Sequence, residues 1–219
     1  MMDDAVRVAQ VKPRLRGVFH EWAFYLAIPL GVSVGLLAQT PRGKVAAAVF
    51  AGGVVCMFGV SALYHRLTWS PPWRRWLRRA DHAGIYLMIA GSYTPFGLLV
   101  LSGEWRITVL AIVWSGAAAA ILTRMLWARP PRWLPVVIGG ALGWVGVVVF
   151  PQLVTKTGVV ASLLVLASGV CYTLGGLVYA RRRPDPFPTV FGYHEVFHVL
   201  VVAAVAVQYT VVAAFVVPT

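Results

Sequence analysis

The chain of 219 residues holds only five histidines and seven acids, and a few of them are spaced for joint chemistry. His194 and His198 are four residues apart, as are Ser61 and His65, so each pair shares one face if its segment is helical. Two imidazoles at that spacing can hold one zinc ion. A third from another helix, His65, completes a three-nitrogen site and leaves the fourth position open to water. Neutral imidazoles leave the ion its full double charge, which brings the pKa of its water to about 7. Asp81 is the carboxylate placed to orient that water and take its proton. Ser61 can hydrogen-bond the carboxylate or a substrate oxygen.

The run His194-Glu195-Val196-Phe197-His198 also reads as H-E-x-x-H, the pattern in which two histidines bind zinc and the glutamate is the general base of a protease. On a helix Glu195 points about 80° away from the centre of the two-histidine face, so it either reaches the ion's water or turns elsewhere. An intramembrane metalloprotease is therefore a competing reading. It needs a further ligand, and no Asp-bearing segment of the site-2 protease kind is evident.

The elements that must position these side chains follow from composition. Hydrophobic residues make up 59% of the chain, charged residues 12%, and mean hydropathy is +0.77. Soluble domains carry roughly 25% charged residues, so a soluble enzyme is excluded, and a disordered chain needs the opposite balance. A bilayer core of about 30 Å takes roughly 20 apolar residues of helix. Seven runs are long enough: Phe19–Ala38, Val45–Tyr64, Ala83–Ser102, Ile107–Thr123, Trp133–Thr155, Thr157–Ala180 and Val199–Thr219. Arg7, Lys12, Arg14 and Arg16 precede a full-length first run, which reads as a retained signal-anchor. The organisation expected is an N-terminal segment over 1–18 and one all-α, seven-helix membrane domain over 19–219.

Of the 19 basic residues, 15 fall on one side of these spans: the four just named, Arg66, Arg74, Arg75, Arg78, Arg79, Arg124, Arg129, Arg132 and Arg181 to Arg183. Arg42, Lys44, Arg106 and Lys156 fall on the other. The positive-inside rule then places the N-terminus in the cytoplasm and the C-terminus outside. The net charge of +12 belongs to topology and to anionic lipid headgroups, and nucleic acid is not an expected partner. All five histidines come to lie near the cytoplasmic boundary, where ionisable groups are costly unless hydrated, paired or metal-bound. His20 and His82 read as headgroup contacts. Trp69, Trp73 and Trp76 among the arginines of 71–79 read either as a short interfacial helix or as a polar loop with anchoring indoles. Pro29 and Pro95 should loosen their helices. Cys56 and Cys171 read as buried thiols.

Several of these stretches carry a resemblance. Ser61-Ala62-Leu63-Tyr64-His65, then Arg78-Arg79-Ala80-Asp81-His82-Ala83-Gly84-Ile85-Tyr86, then Ala90-Gly91-Ser92-Tyr93-Thr94-Pro95-Phe96 closely resemble the haemolysin III family. So do Pro13-Arg14-Leu15-Arg16-Gly17 with His20-Glu21, and Gly192-Tyr193 leading into His194–His198. That family is the bacterial branch of the progestin and adiponectin receptor group and looks related to the alkaline ceramidases. The resemblance implies a seven-helix bundle in the bacterial plasma membrane, with zinc near the cytoplasmic side. It carries the ligand roles onto His65, His194 and His198, the water-holding carboxylate onto Asp81 and the supporting hydroxyl onto Ser61.

The function expected is zinc-dependent hydrolysis of an amide or ester bond in a membrane lipid. Three alternatives stand beside it: a lipid-sensing, receptor-like protein with structural zinc, a haemolysin-type permeabilising protein, and the protease. A water-filled pore wants polar groups along its whole depth. The middle and outer levels of the spans hold only scattered ones, such as Gln152, Thr173 and Gln208.

Overall fold

The protein is described by a computed structural model covering residues 12–127, 131 and 133–218. Arg7, Arg129 and Arg132, which contribute to the expected charge asymmetry, lie outside the described residues, as does the part of the N-terminal segment before Lys12.

The chain forms α1 (Val18–Leu37), α2 (Pro41–Arg66), α3 (Pro71–Pro95), α4 (Glu104–Leu126), α5 (Trp133–Trp144), α6 (Phe150–Arg181) and α7 (Tyr193–Val211). Helix suits charge-free apolar runs in hydrocarbon, because it satisfies every backbone group within the segment. Local signals set the starts. Thr40 Oγ1 accepts the Gly43 N–H at 3.0 Å with Pro41 in the first turn of α2, and Pro71 opens α3.

Among the described residues, six separate stretches are long and apolar enough to cross a membrane. The fifth and sixth expected spans run together in one of them, the 49-residue stretch Trp133–Arg181. Within it the backbone tightens into a 3-10 turn at Val145–Val149 and leaves helical angles at Gly158, where φ is 84°. The tryptophan-bearing segment 71–79 is neither a separate interfacial helix nor a loop. It forms the exposed first turns of α3, where the Arg79 guanidinium lies 5.0 Å from the centre of the Trp76 ring. Pro95 has the expected effect, since α3 widens directly after it into a π turn over Phe96–Val100. Pro29 sits inside an α1 that continues to Leu37. Cys171 is half-buried, and Cys56 is exposed where burial was expected.

Packing is densest between α2 and α3, α1 and α2, α6 and α7, and α3 and α4, with α1 also touching α7. One apolar core joins α1, α2, α6 and α7, and a second joins α3, α4 and α5. Small residues let α2 and α3 approach closely. A side chain at Gly91 would come within 3.1 Å of the Val49 carbonyl oxygen. Large apolar residues such as Leu36, Ile107 and Val160 face outward, as suits a hydrocarbon surrounding. The antiparallel run of α2 into α3, and α1 lying against both α2 and α7, bring the end of α2 and the starts of α1, α3 and α7 together at one end of the bundle.

Candidate metal centre

That shared end collects the histidines. His65 stands in the last turn of α2, Asp81 in α3, and His194 and His198 in the first two turns of α7. The ligand atoms of His65, His194 and His198 all lie within 4.8 Å of one another. His194 Nε2 and His65 Nε2 are 3.2 Å apart, close to the roughly 3.3 Å edge of a tetrahedron with zinc–nitrogen bonds of about 2.05 Å. The widest separation, 4.8 Å, exceeds that edge by about 1.5 Å. At 3.2 Å one of the two nitrogens must carry a proton for the other. With both nitrogens unprotonated, their lone pairs would be free to hold a divalent cation together with His198. His198 is 1% exposed, and its Nδ1 is buried without a hydrogen-bond partner among the described residues. The residues fit a borderline-soft divalent ion such as zinc.

Asp81 Oδ2 lies 3.6 Å from His65 Nε2 and 3.9 Å from His82 Nδ1. The structure thus brings four of the five sequence-derived site residues into one cluster. Ser61, the fifth, lines the same cavity, where its hydroxyl reaches the Asp81 carboxylate, as expected, and also lies 2.8 Å from His20 Nδ1.

His20 is where the sequence reading falls short. It is no headgroup contact. It is 3% exposed, and its ring stacks on His198 with centres 3.7 Å apart and planes 9° from parallel. The missed signal is periodic, because His20, Ala23, Ala27 and Val34 form the buried stripe of α1. His82 is also more enclosed than expected. Its Nδ1–H donates to the Arg78 carbonyl at 2.7 Å, and its Nε2 lies 3.4 Å from the Tyr179 hydroxyl.

Glu195 resolves the ambiguity of the H-E-x-x-H run. It is fully buried, but its carboxylate is engaged away from the imidazoles. Oε2 accepts the Gly192 N–H at 2.9 Å, capping α7, and Oε1 pairs with Arg16 Nε. A glutamate with both oxygens committed to a cap and an ion pair is not poised as a base.

Arg16 belongs to a strap of chain ahead of α1. Arg14 N–H donates to Thr189 O at 3.0 Å and Leu15 N–H to Val190 O at 3.1 Å, while Lys12 Nζ reaches Arg66 O at 3.3 Å. Glu21 pairs with Arg66 at 2.7 Å. Burial, then the guanidiniums of Arg66, Arg16 and Arg74, push the Lys12 amine below its ordinary value. Gly17 closes the strap against the site. Its φ is 82°, and a side chain there would come within 2.6 Å of His65 Cβ. Gly17→Ala is therefore expected to lower the melting temperature in detergent, because it adds both positive-φ strain and a clash against the His65 side chain. An unchanged melting temperature would show that neither constraint holds.

From this cluster a cavity of about 290 Å³ runs into the bundle, lined near the imidazoles by Ser61, Asp81 and His82 and further in by Phe96, Val149 and Gln208. Its walls are mostly apolar. Ionisable groups sit at one end of a slot shaped for hydrocarbon.

Comparison with known proteins agrees with this picture. A family profile described as Haemolysin-III related matches residues 8–209. Hemolysin-3 of Bacillus cereus is 29% identical over 225 aligned positions, spanning 100% of this chain and 99% of that protein. The Hemolysin-3 homolog of Bacillus subtilis (strain 168) is 30% identical over 162 positions, 74% of this chain and 72% of its own length. An Adiponectin receptor protein of Drosophila melanogaster is 29% identical over 191 positions, covering 78% of this chain and 42% of that larger protein. Both the motifs at the histidine end and the match along nearly the whole chain place it among multi-pass proteins of the cell membrane: it belongs to the Haemolysin-III related family.

Proposed function

We propose that the protein is a seven-span membrane hydrolase that binds zinc at His65, His194 and His198 and cleaves an amide or ester bond in a lipid. The observation that carries this reading is the position of three converging imidazoles and a carboxylate at the polar end of an apolar cavity. When bound there, zinc supplies a polarised carbonyl and a water acidified towards neutrality. Asp81 takes the proton of the attacking water and returns it to the departing amine or alcohol. Ser61, oriented by His20, presents its hydroxyl to the substrate oxygen. The apolar walls hold the chain of the lipid and exclude water, and arginines at the mouth face anionic headgroups.

The seven-span topology has its own support. A continuous helix over Trp133–Arg181 would extend about 74 Å, more than twice the roughly 30 Å core. The non-helical Gly158 lies close to the divide expected between the fifth and sixth runs. Two crossings there put the C-terminus on the opposite side from the N-terminus, which the positive-inside rule assigns to the cytoplasm.

The test is lipid turnover by purified protein in liposomes. Asp81→Asn is expected to slow hydrolysis by about a hundredfold or more, the usual loss when a general base is removed, while the protein keeps its zinc. If no lipid pool changes with either form while zinc stays bound, hydrolysis is wrong. The likeness to a protein named as an adiponectin receptor then favours a lipid sensor with structural zinc. Dye leakage from liposomes containing only this protein would favour permeabilisation, and Glu195-dependent cleavage of a membrane peptide would favour the protease.

A further inference from the structure

Several polar residues at the middle level of the spans meet in space. Ser92 of α3, Tyr172 and Thr173 of α6 and Gln208 of α7 all line the cavity that begins at the histidines. The Tyr172 hydroxyl is 3.2 Å from Gln208 Oε1. The other end of the Gln208 carboxamide has no partner among the described residues. Turning the amide over only exchanges which end is unpaired. Ser92 is 3% exposed, and its Oγ is buried with no hydrogen-bond partner. A serine inside a helix ordinarily bonds back to its own turn, as Thr94 does to the Ala90 carbonyl at 2.9 Å.

Unpaired polar groups deep in an apolar cavity are costly, and intramembrane polar residues mark ligand paths more often than surfaces. An interhelical bond alone accounts for the Tyr172–Gln208 contact. It leaves the free amide end and the orphaned Ser92 hydroxyl without a purpose. We propose that this middle stretch of the cavity is a second, polar subsite that takes a hydroxyl group carried on the hydrocarbon chain of the ligand. Gln208 and Ser92 each offer a donor and an acceptor between them, which matches a hydroxyl and not a charge, and no ionised side chain is among the four.

The register gives the position of that hydroxyl. Gln208 stands ten residues beyond His198 on α7, and Ser92 eleven beyond Asp81 on α3. Both offsets are about 15 Å along a helix, the reach of roughly a dozen chain carbons from a carbonyl held at the histidine end. The subsite selects chains oxidised near their middle and disfavours plain ones. The inference rests on the cavity being a lipid-chain site and needs neither hydrolysis nor zinc.

The experiment compares octadecanoate with octadecanoate bearing a hydroxyl at the twelfth carbon, each displacing radiolabelled octadecanoate from detergent-purified full-length protein. The hydroxylated chain is expected to bind about tenfold tighter to the parent, the discrimination one buried hydrogen-bonding group provides. In Gln208→Leu the preference is expected to vanish while affinity for the plain chain is kept or improved. Ser92→Ala and Tyr172→Phe should each reduce the preference in part. Equal binding of both chains by the parent would overturn the subsite alone. So would a preference surviving in Gln208→Leu. If neither chain binds, the lipid-chain reading of the cavity falls with it.

Discussion

His65→Ala is expected to strip the protein of zinc. Detergent-purified parent should carry about one ion per chain, and the variant's affinity should fall by more than about a hundredfold, because loss of an outer-sphere partner alone costs 10–100-fold. His65 is the member of the cluster that comes from α2, lying 3.2 Å from His194 and 3.6 Å from Asp81. Without it two imidazoles remain on one face of α7, a set that does not close a site. His194→Ala and His198→Ala should behave alike. Metal analysis of the purified forms decides the matter. Near-zero zinc in the parent, or zinc retained at parental affinity in His65→Ala, would remove the proposed centre.

The second large effect concerns stability. Arg16→Leu leaves the Glu195 carboxylate fully buried with no cationic partner, and breaking a buried pair in this way costs about 3–5 kcal/mol. Glu195→Gln should cost much less. The amide oxygen still caps the Gly192 N–H, and Arg16, with its side chain 22% exposed, reaches water. The expected order, Arg16→Leu far below Glu195→Gln, can be read from denaturant or thermal unfolding in detergent. The reverse order would mean that the ion pair does not carry the start of α7. The same pair of variants separates the two readings of H-E-x-x-H. A general base replaced by glutamine loses activity with stability intact, whereas a cap replaced by glutamine keeps most of both.

How much of this was legible from sequence varies with the kind of signal. Charge-free runs of about 20 residues located the helices well, because bilayer thickness imposes a length that composition reveals directly. Those runs did not locate helix starts. α3 begins at Pro71, not at Ala83, since the arginine-rich turns are helical although nothing apolar marks them. Spacing of four within 61–65 and 194–198 brought out the site residues, because one helix face is encoded locally. His20 was missed because its meaning lies in what α1 packs against. Stacking on His198 and bonding to Ser61 are facts of tertiary approach that a lone histidine beside a glutamate does not announce. The role of Glu195 was hidden for the same reason. Its partner Arg16 stands at the far end of the chain, and no periodicity links them.

That distance has a biosynthetic consequence. Arg16 and Glu195 are 179 positions apart, and Arg14 and Leu15 bond to Thr189 and Val190, in the connection just before α7. Translation delivers Arg16 ahead of α1 and Glu195 within α7, after α1 to α6 have been made. The segment ahead of α1 can meet Arg66 of α2 early, but Arg16 stays without Glu195 until α7 arrives with two of the imidazoles. The polar end is then half built from α1, α2 and α3 before α7 closes it, and a nascent copy released before α7 would hold His65 and Asp81 together without His194 and His198.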